Sequence, residues 1–177
     1  MIKKNLDVLF DAEEIKIRIE ALGEEIASNE PNDLLIVVIL KGSFVFAADL
    51  IRAIQKAGIF ARVDFITLSS YGDGTESAGA VRIIHDLSED VRGQTVLLVD
   101  DILESGRTIS FARNLMRDRK AKHVKTCLLL DKPGKRVLDI EADYLGFEID
   151  DRFVVGYGLD LANQYRGLPF IGSVKDC

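Results

Sequence analysis

Apolar residues recur at helical spacing in the first part of the chain. Four of them fall on one face of the segment, with polar residues between them: Ile15, Ile19, Leu22 and Ile26. This spacing predicts an amphipathic helix. Asp11 and Glu14 have the spacing of a capping box at its start, and the turn-forming residues 31–33 end it.

The next segment predicts a buried parallel strand. Residues 34–40 are apolar at every position, and the turn Lys41-Gly42-Ser43 then leads into a helical stretch over residues 44–56. A strand without alternation, followed by a short turn and a helix, is typical of a strand covered on both faces. The same order recurs in strands over 95–99 and 124–130 and a helix over 108–120, and three further strands are expected over 62–69, 81–86 and 153–155.

Alternating strands and helices predict an α/β fold, with a mostly parallel, twisted sheet flanked by helices. The chain has 177 residues, the size of one ordinary domain, so we expect a single domain over residues 1–177.

Composition excludes several classes of protein. The longest apolar run, residues 34–40, is far shorter than the roughly 18 residues that a membrane span needs. Residues 1–7 carry charge with no apolar stretch after them, so no signal peptide is predicted. Lys and Arg total 23 against 29 Asp and Glu, a net charge of −6, whereas nucleic-acid binders are usually basic. We therefore expect a cytoplasmic protein with neither a membrane nor a nucleic-acid partner.

Cysteine and histidine usage argues against a zinc site. Cys127 lies in an apolar run and is expected in the core, whereas Cys177 is the last residue, and the two form no CxxC pair. Only His85 and His123 are available as imidazole ligands, and both are interpreted as structural or solvent-facing.

A polar, glycine-rich stretch over residues 71–80 interrupts the rhythm and is too long for a tight hairpin. Two interpretations stay open: a solvated, disordered loop, or a mobile lid, since long loops in compact domains are often functional.

The chemistry is concentrated in VLLVDDILESGRT, residues 96–108. An apolar strand delivers Asp100 and Asp101 to its end, where ligands bind in open α/β sheets. Their carboxylates suit Mg²⁺ or sugar hydroxyls, and Glu104 suits a general acid or base. The four residues that follow offer hydroxyls, a cation and backbone N–H groups at a helix start, which suits phosphate: Ser105, Gly106, Arg107 and Thr108.

Each of these features has an ordinary structural explanation on its own. Adjacent carboxylates are often solvated loop residues, and a hydroxyl at a helix start is often a cap. Their combination within nine residues after a buried strand favours a function. Neither GxxxxGK[ST] nor GxGxxG after a strand is present, so a Walker A loop and a dinucleotide site are not supported.

Residues 96–108 resemble the phosphoribosyl-diphosphate (PRPP) signature of the type I phosphoribosyltransferases. Four further segments are similar to the hypoxanthine-guanine phosphoribosyltransferases: LKGSFVFAADL, SSYG, DKPGK and GFEIDDRFVVGYGLD. The resemblance runs in order from about residue 6 to residue 174. It implies the type I phosphoribosyltransferase fold, with a small hood subdomain from the chain ends. It also implies a lid over about residues 70–80, which begins with Ser70 and Tyr71.

The resemblance also implies roles for matching positions. Asp100 and Asp101 would meet the ribose hydroxyls and their Mg²⁺, and Asp160 would be a ligand of a second Mg²⁺. The 5′-phosphate cradle would be Ser105, Gly106, Arg107 and Thr108. The diphosphate would be held by Lys41, Gly42 and Arg166, at a turn where the family often has a cis peptide bond that does not precede proline.

The purine site follows from the same resemblance. Lys132 would donate to the C6 oxygen, Phe153 would stack on the base and the Val154 backbone would meet its edge. Other interpretations remain: Phe153 as plain strand core, Lys132 as an exposed turn lysine, and Arg166 as a partner of any surplus acid. The chain departs from the family at two positions, with Asp100 where Glu is common and Glu104 where Asp is common. Both changes keep a carboxylate, so activity is expected.

The implied reaction is purine salvage. The 5-phosphoribosyl group would pass from PRPP to N9 of hypoxanthine or guanine, giving IMP or GMP and diphosphate, in a Mg²⁺-dependent homodimer or homotetramer. One alternative is a regulatory module that binds PRPP or nucleotide, disfavoured by the acidic charge and by Glu104 and Lys132. The other is a signalling receiver, which needs an acidic pair after its first strand, where this chain has Lys41-Gly42-Ser43.

Overall fold

The computed structural model describes residues 6–70 and 81–174. The strands in these residues are β1 (Leu6–Phe10), β2 (Leu35–Leu40), β3 (Arg62–Ser70), β4 (Val81–His85), β5 (Thr95–Leu103), β6 (His123–Asp131), β7 (Tyr144–Glu148), β8 (Val154–Val155) and β9 (Ile171–Val174). The helices are α1 (Ala12–Asn29), α2 (Phe44–Lys56) and α3 (Arg107–Asp118), with a short 3₁₀ turn at Pro133–Lys135. Residues 71–80 of the predicted lid, with Tyr71, and the terminal Cys177 lie outside the described residues, whereas Ser70 is the last residue of β3.

The main sheet has six strands in the order β4-β3-β2-β5-β6-β7. Every neighbouring pair is parallel except β3 and β4, which are antiparallel. The prediction of a mostly parallel α/β sheet is therefore confirmed.

The apolar run of β2 is explained by cores on both faces of the sheet. Ile36 and Val38 pack in the core that contains the buried faces of α1 and α2. Leu35 and Val37 pack in the opposite core, which contains the buried face of α3. Because successive side chains of a strand point to opposite faces, both sets must be apolar.

Helix α1 begins and ends where the sequence predicts. The Asp11 carboxylate accepts hydrogen bonds from the backbone N–H groups of Glu13 and Glu14, both at 2.9 Å, and the Asp11 N–H donates to the Glu14 carboxylate at 2.8 Å. All four apolar residues of the predicted face are buried: Ile15, Ile19, Leu22 and Ile26. The capping box and the amphipathic face are both confirmed.

Three strands were not predicted. β1 and β9 join β8 in a small antiparallel sheet, in the order β1-β9-β8, and β7 adds an edge to the main sheet. β1 is half exposed, and both β7 and β9 contain glycine, so none shows a clear strand pattern. The small sheet uses strands from both ends of the described chain; that it acts as a hood remains a prediction.

The expectations for the cysteine and histidine side chains are also met. Cys127 is a free, fully buried thiol, and burial raises its pKa well above its ordinary value. His85 and His123 are exposed. In the part of the chain that the structure describes, no helix combines the length and the apolar composition needed to cross a membrane.

The contact between β6 and β7 generates a stability prediction. A Cβ atom on Gly146 would lie 2.3 Å from the Leu129 carbonyl oxygen, so Gly146→Ala forces the two strands apart. We expect it to lower the free energy of unfolding by about 1–3 kcal/mol in denaturant titrations. Gly134→Ala is the matched control, because its Cβ meets no atom within 4 Å. Equal stability of the two variants would contradict this account of the sheet edge.

Candidate active site

The carboxyl ends of β2, β5 and β6 meet at one edge of the sheet. β2 stops pairing with β5 at Val38 and Val99, whereas β6 continues to pair with β5 as far as Leu103. β5 is thus longer than the predicted 95–99, and it carries Asp100 and Asp101 past the point where β2 turns away. An open space lies beside Asp101, at the edge where parallel sheets bind ligands.

The turn after β2 packs directly against Asp101. The peptide bond between Leu40 and Lys41 is cis, as the resemblance implied for this turn. A Cβ on Gly42 would lie 1.5 Å from Oδ2 of Asp101, and a Cβ on Gly158, at φ +101°, would lie 2.1 Å from the Gly42 carbonyl oxygen. Two glycines therefore allow the turn to fit between Asp101 and the loop after β8.

A cavity of about 390 Å³ lies beside the turn. Its lining includes all the residues predicted for the diphosphate, which are Lys41, Gly42 and Arg166. It also includes one carboxylate from each of the two predicted Mg²⁺ positions, Asp101 and Asp160. Thr67 of β3 also lines it and was not singled out from the sequence, since nothing local marks one strand hydroxyl as different from another.

Arg166 is held by two groups at the mouth of this cavity. Its Nη2 lies 2.7 Å from Oδ1 of Asp160, and its Nη1 donates to the Gly158 carbonyl at 2.7 Å. Arg166 therefore does pair with an acid, as its ordinary structural interpretation expected. That acid is Asp160, which is itself a predicted site residue.

Burial dominates the electrostatics of the acidic pair. Asp100 is only 6% exposed, and its burial, together with the neighbouring charge of Asp101, raises its pKa well above the ordinary value. Burial also raises the pKa of Asp101, although backbone hydrogen bonds and the positive charge of Arg166 oppose the rise. The pair is therefore under-compensated by cations of the protein itself.

Helix α3 presents its amino terminus at the same edge. Gly106 adopts φ +84°, and a Cβ there would lie 2.6 Å from Cγ2 of Ile140. Glycine has no side chain with which to cap the helix, and the Arg107 N–H donates to the Ser105 hydroxyl at 3.4 Å. Backbone N–H groups at a helix amino terminus suit an anion. Ser105, Arg107 and Thr108 flank these groups, as the predicted cradle requires.

The exposure of Lys132 and Phe153, both predicted for the purine site, differs from what their ordinary structural interpretations require. Lys132 is only 5% exposed, so it is not an exposed turn lysine, and its Nζ lies 2.5 Å from Oε1 of Glu104. Phe153 is 44% exposed, so it is not plain strand core, whereas Val154 is buried in β8. The Glu104–Lys132 ion pair was not predicted, because it joins residues 28 apart whose proximity depends on the pairing of β5 with β6.

Known proteins with this sequence pattern and fold decide the family. The phosphoribosyl transferase domain family matches residues 5–162. The chain belongs to the phosphoribosyltransferase family. It is 44% identical to the hypoxanthine phosphoribosyltransferase of Escherichia coli K12, over 97% of each chain. It is 46% identical to the hypoxanthine-guanine phosphoribosyltransferase of Bacillus subtilis, over 99% of this chain and 97% of that protein.

A solved structure agrees with the sequence relatives. The crystal structure of a hypoxanthine phosphoribosyltransferase from Staphylococcus aureus superposes with a TM-score of 0.89 at 42% identity, covering 96% of this chain and 91% of that one. The type I phosphoribosyltransferase fold implied by the resemblance is thus confirmed.

The donor set of this phosphoribosyltransferase fits Mg²⁺ held jointly with substrate. Among the described residues, no three of His, Cys, Asp or Glu form a cluster that could hold a metal ion alone. Asp101 and Asp160 line the diphosphate cavity, and Asp100 adjoins Asp101. Mg²⁺ in proteins is commonly bound through one or two carboxylates and the phosphate oxygens of a substrate. The under-compensated acidic pair suits such an ion.

The raised pKa of Asp100 predicts a gain in stability when its charge is removed. Because the folded-state pKa lies above the unfolded one, the favourable contribution of Asp100 is present below the unfolded pKa and is lost as pH rises through the folded pKa. We expect Asp100→Asn to raise Tm at pH 8 by about 2–4 °C, the shift that about 1 kcal/mol produces in a chain of this size. The gain should shrink as the pH is lowered toward 5.

Thermal melts of Asp100→Asn and of Asp33→Asn across this pH range check the prediction. Asp33 is exposed, so its substitution should leave Tm close to that of the wild type. A lower Tm for Asp100→Asn at pH 8 would mean that Asp100 stabilises the fold as a carboxylate.

Proposed function

We propose that this phosphoribosyltransferase makes IMP and GMP by transferring the 5-phosphoribosyl group of PRPP to N9 of hypoxanthine or guanine. The observation that carries the proposal is the buried Lys132 paired with Glu104, beside the amino terminus of α3. A module that only binds PRPP needs no buried cation, and no carboxylate paired with it, beyond the phosphate cradle. A transferase needs both, for the base that accepts the ribose.

The proposed transfer separates charge at the anomeric carbon. Its bond to the diphosphate oxygen breaks, and its bond to N9 forms. Negative charge then grows on the diphosphate, where Lys41 and Arg166 line the cavity, and electrostatic stabilisation of this kind is usually the largest catalytic contribution. Positive charge grows on the ribose, which Asp100 and Asp101 would face. Bound Mg²⁺ would neutralise phosphate charge and orient the diphosphate.

Lys132 and Glu104 act on different atoms of the purine. The Lys132 ammonium donates to the C6 oxygen, which hypoxanthine and guanine share and adenine lacks. The Glu104 carboxylate accepts the proton that the imidazole ring loses from N7 as N9 attacks. A positioned acid or base of this kind contributes about 10²–10⁴-fold. The ion pair of the two side chains must open for the base to enter between them.

The remaining parts of the proposal concern partners and location. We assign small-molecule partners only: PRPP, hypoxanthine and guanine as substrates, and IMP, GMP and diphosphate as products. We also propose a cytoplasmic protein with a single domain over residues 1–177. Ser70, Tyr71 and the rest of the lid would exclude water from the reactive ribose.

A homodimer or homotetramer completes the proposal. An apolar groove of about 650 Å³ runs between α1, α2 and residues 166–169, and Phe44 on its rim is 45% exposed. Arg166 lines both this groove and the diphosphate cavity, so a second copy of the chain seated there would lie next to the site.

The experiment that tests the function is turnover with PRPP and Mg²⁺ and each of four bases: hypoxanthine, guanine, xanthine and adenine. We expect fast nucleotide formation with the first two and none with adenine. Tight PRPP or nucleotide binding without turnover of any base would indicate the regulatory module instead.

Substitution of the purine lysine gives a sharper prediction. Lys132→Met removes a hydrogen bond from a charged donor, worth about 1.5–3 kcal/mol, so kcat/KM for hypoxanthine should fall by about 10–10²-fold. Lys135→Met is the matched control. Its lysine lies in the same segment but is exposed, with Nζ 2.7 Å from Oδ2 of Asp151. Steady-state kinetics of both variants check this, and equal effects would remove Lys132 from the purine site.

A further inference from the structure

We propose that Arg136 is a positioning residue that fixes the spacing between Glu104 and Lys132. The inference rests on the proposed function, because it concerns the two side chains that act on the purine. Arg136 does not touch the reacting atoms; it acts through the two loops that carry them.

Arg136 bridges the ends of two neighbouring strands. Its Nη1 donates to the carbonyl oxygens of Leu103, at 3.2 Å, and of Glu104, at 2.8 Å. Its Nη2 forms an ion pair with the carboxylate of Asp131, and the two side chains are only 17% and 14% exposed. One guanidinium therefore contacts the backbone of the proposed proton acceptor and the residue just before the proposed purine donor.

The strand register explains why one side chain can reach both loops. Leu103 and Asp131 are partners at the last position of the β5–β6 ladder, and the Lys132 N–H donates to the Leu103 carbonyl at 2.9 Å. Beyond this position the strands separate into the loops that bear Glu104 and Lys132. Arg136 closes the gap just where the backbone ladder ends.

Only the guanidinium suits this bridge. Its planar fork offers several N–H donors in a fixed geometry, whereas a lysine ammonium is a point charge on a flexible stem. Without Arg136, the Glu104 carbonyl loses its donor and the shielded Asp131 carboxylate loses its partner. That carboxylate then becomes a competitor of Glu104 for the adjacent Lys132, which disturbs both the proton acceptor and the purine donor.

The test is to measure kcat/KM for hypoxanthine and the Kd of PRPP separately in Arg136→Met. We expect kcat/KM for hypoxanthine to fall by about 10²-fold, the loss that a misplacement of about 1 Å can cause. The Kd of PRPP with Mg²⁺ should change little, because the hydrogen bonds of the Arg136 side chain reach no residue of the diphosphate cavity. The phosphate cradle also has its own support, since the Ser105 carbonyl accepts from the backbone N–H groups of Val137 and Leu138, both at 3.1 Å. Arg117→Met is the matched control, since this arginine of α3 is exposed, and its kinetics should match the wild type.

A double variant separates positioning from general support of the fold. On a Glu104→Gln background, Arg136→Met should add a much smaller loss, because the proton acceptor that it positions is already gone. Arg136→Lys keeps the charge and should show the same split in kinetics, so it serves if the methionine variant does not fold.

Three results would overturn the inference: wild-type kinetics in Arg136→Met, an equal loss of PRPP affinity, or full additivity with Glu104→Gln. Absence of turnover in the wild-type protein would overturn the proposed function, and this inference with it. An active wild type with an equally active Arg136→Met overturns this inference alone.

Discussion

Two adjacent carboxylates at the end of the central strand are the constraint on which the site depends; Asp100 is buried, and Asp101 lines the cavity. Asp100 and Asp101 lie where β5 passes beyond β2, and their burial raises both pKa values. Buried like charges oppose folding unless a cation or a ligand compensates them. The surrounding groups are arranged for that purpose: Gly42 leaves room for the Asp101 side chain, and Asp160 holds Arg166 at the cavity.

The two halves of the site are carried by different strand pairs. The turn after β2, the carboxyl end of β3 and the loop after β8 line the diphosphate cavity, whereas the loops after β5 and β6 carry Glu104 and Lys132. The ribose would therefore lie between a half built for phosphate charge and a half built for a neutral base. Two apolar cores, one on each face of the sheet, keep these strand ends in register.

Local pattern predicted the elements that bury a continuous or periodic apolar face, and long-range pairing decided the rest. β2 and α1 were recognisable because each buries such a face. β1 and β9 escaped prediction because each gains its strand geometry from a partner more than 160 residues away, with Leu6 opposite Val174. Specific motifs marked the residues that the fold brings together at the cavity beside Asp101. The Glu104–Lys132 pair and the Arg136 bridge depend on the β5–β6 register, which no local signal reports.

If Asp100 and Asp101 bind PRPP together with a divalent cation, as proposed, the affinity for PRPP must depend on that cation. Calorimetric titration of PRPP into the protein, with Mg²⁺ and again with EDTA at the same ionic strength, tests this most directly. We expect saturable binding with Mg²⁺ and a large loss of affinity in EDTA. Equal affinity under the two conditions, or no binding under either, would contradict it.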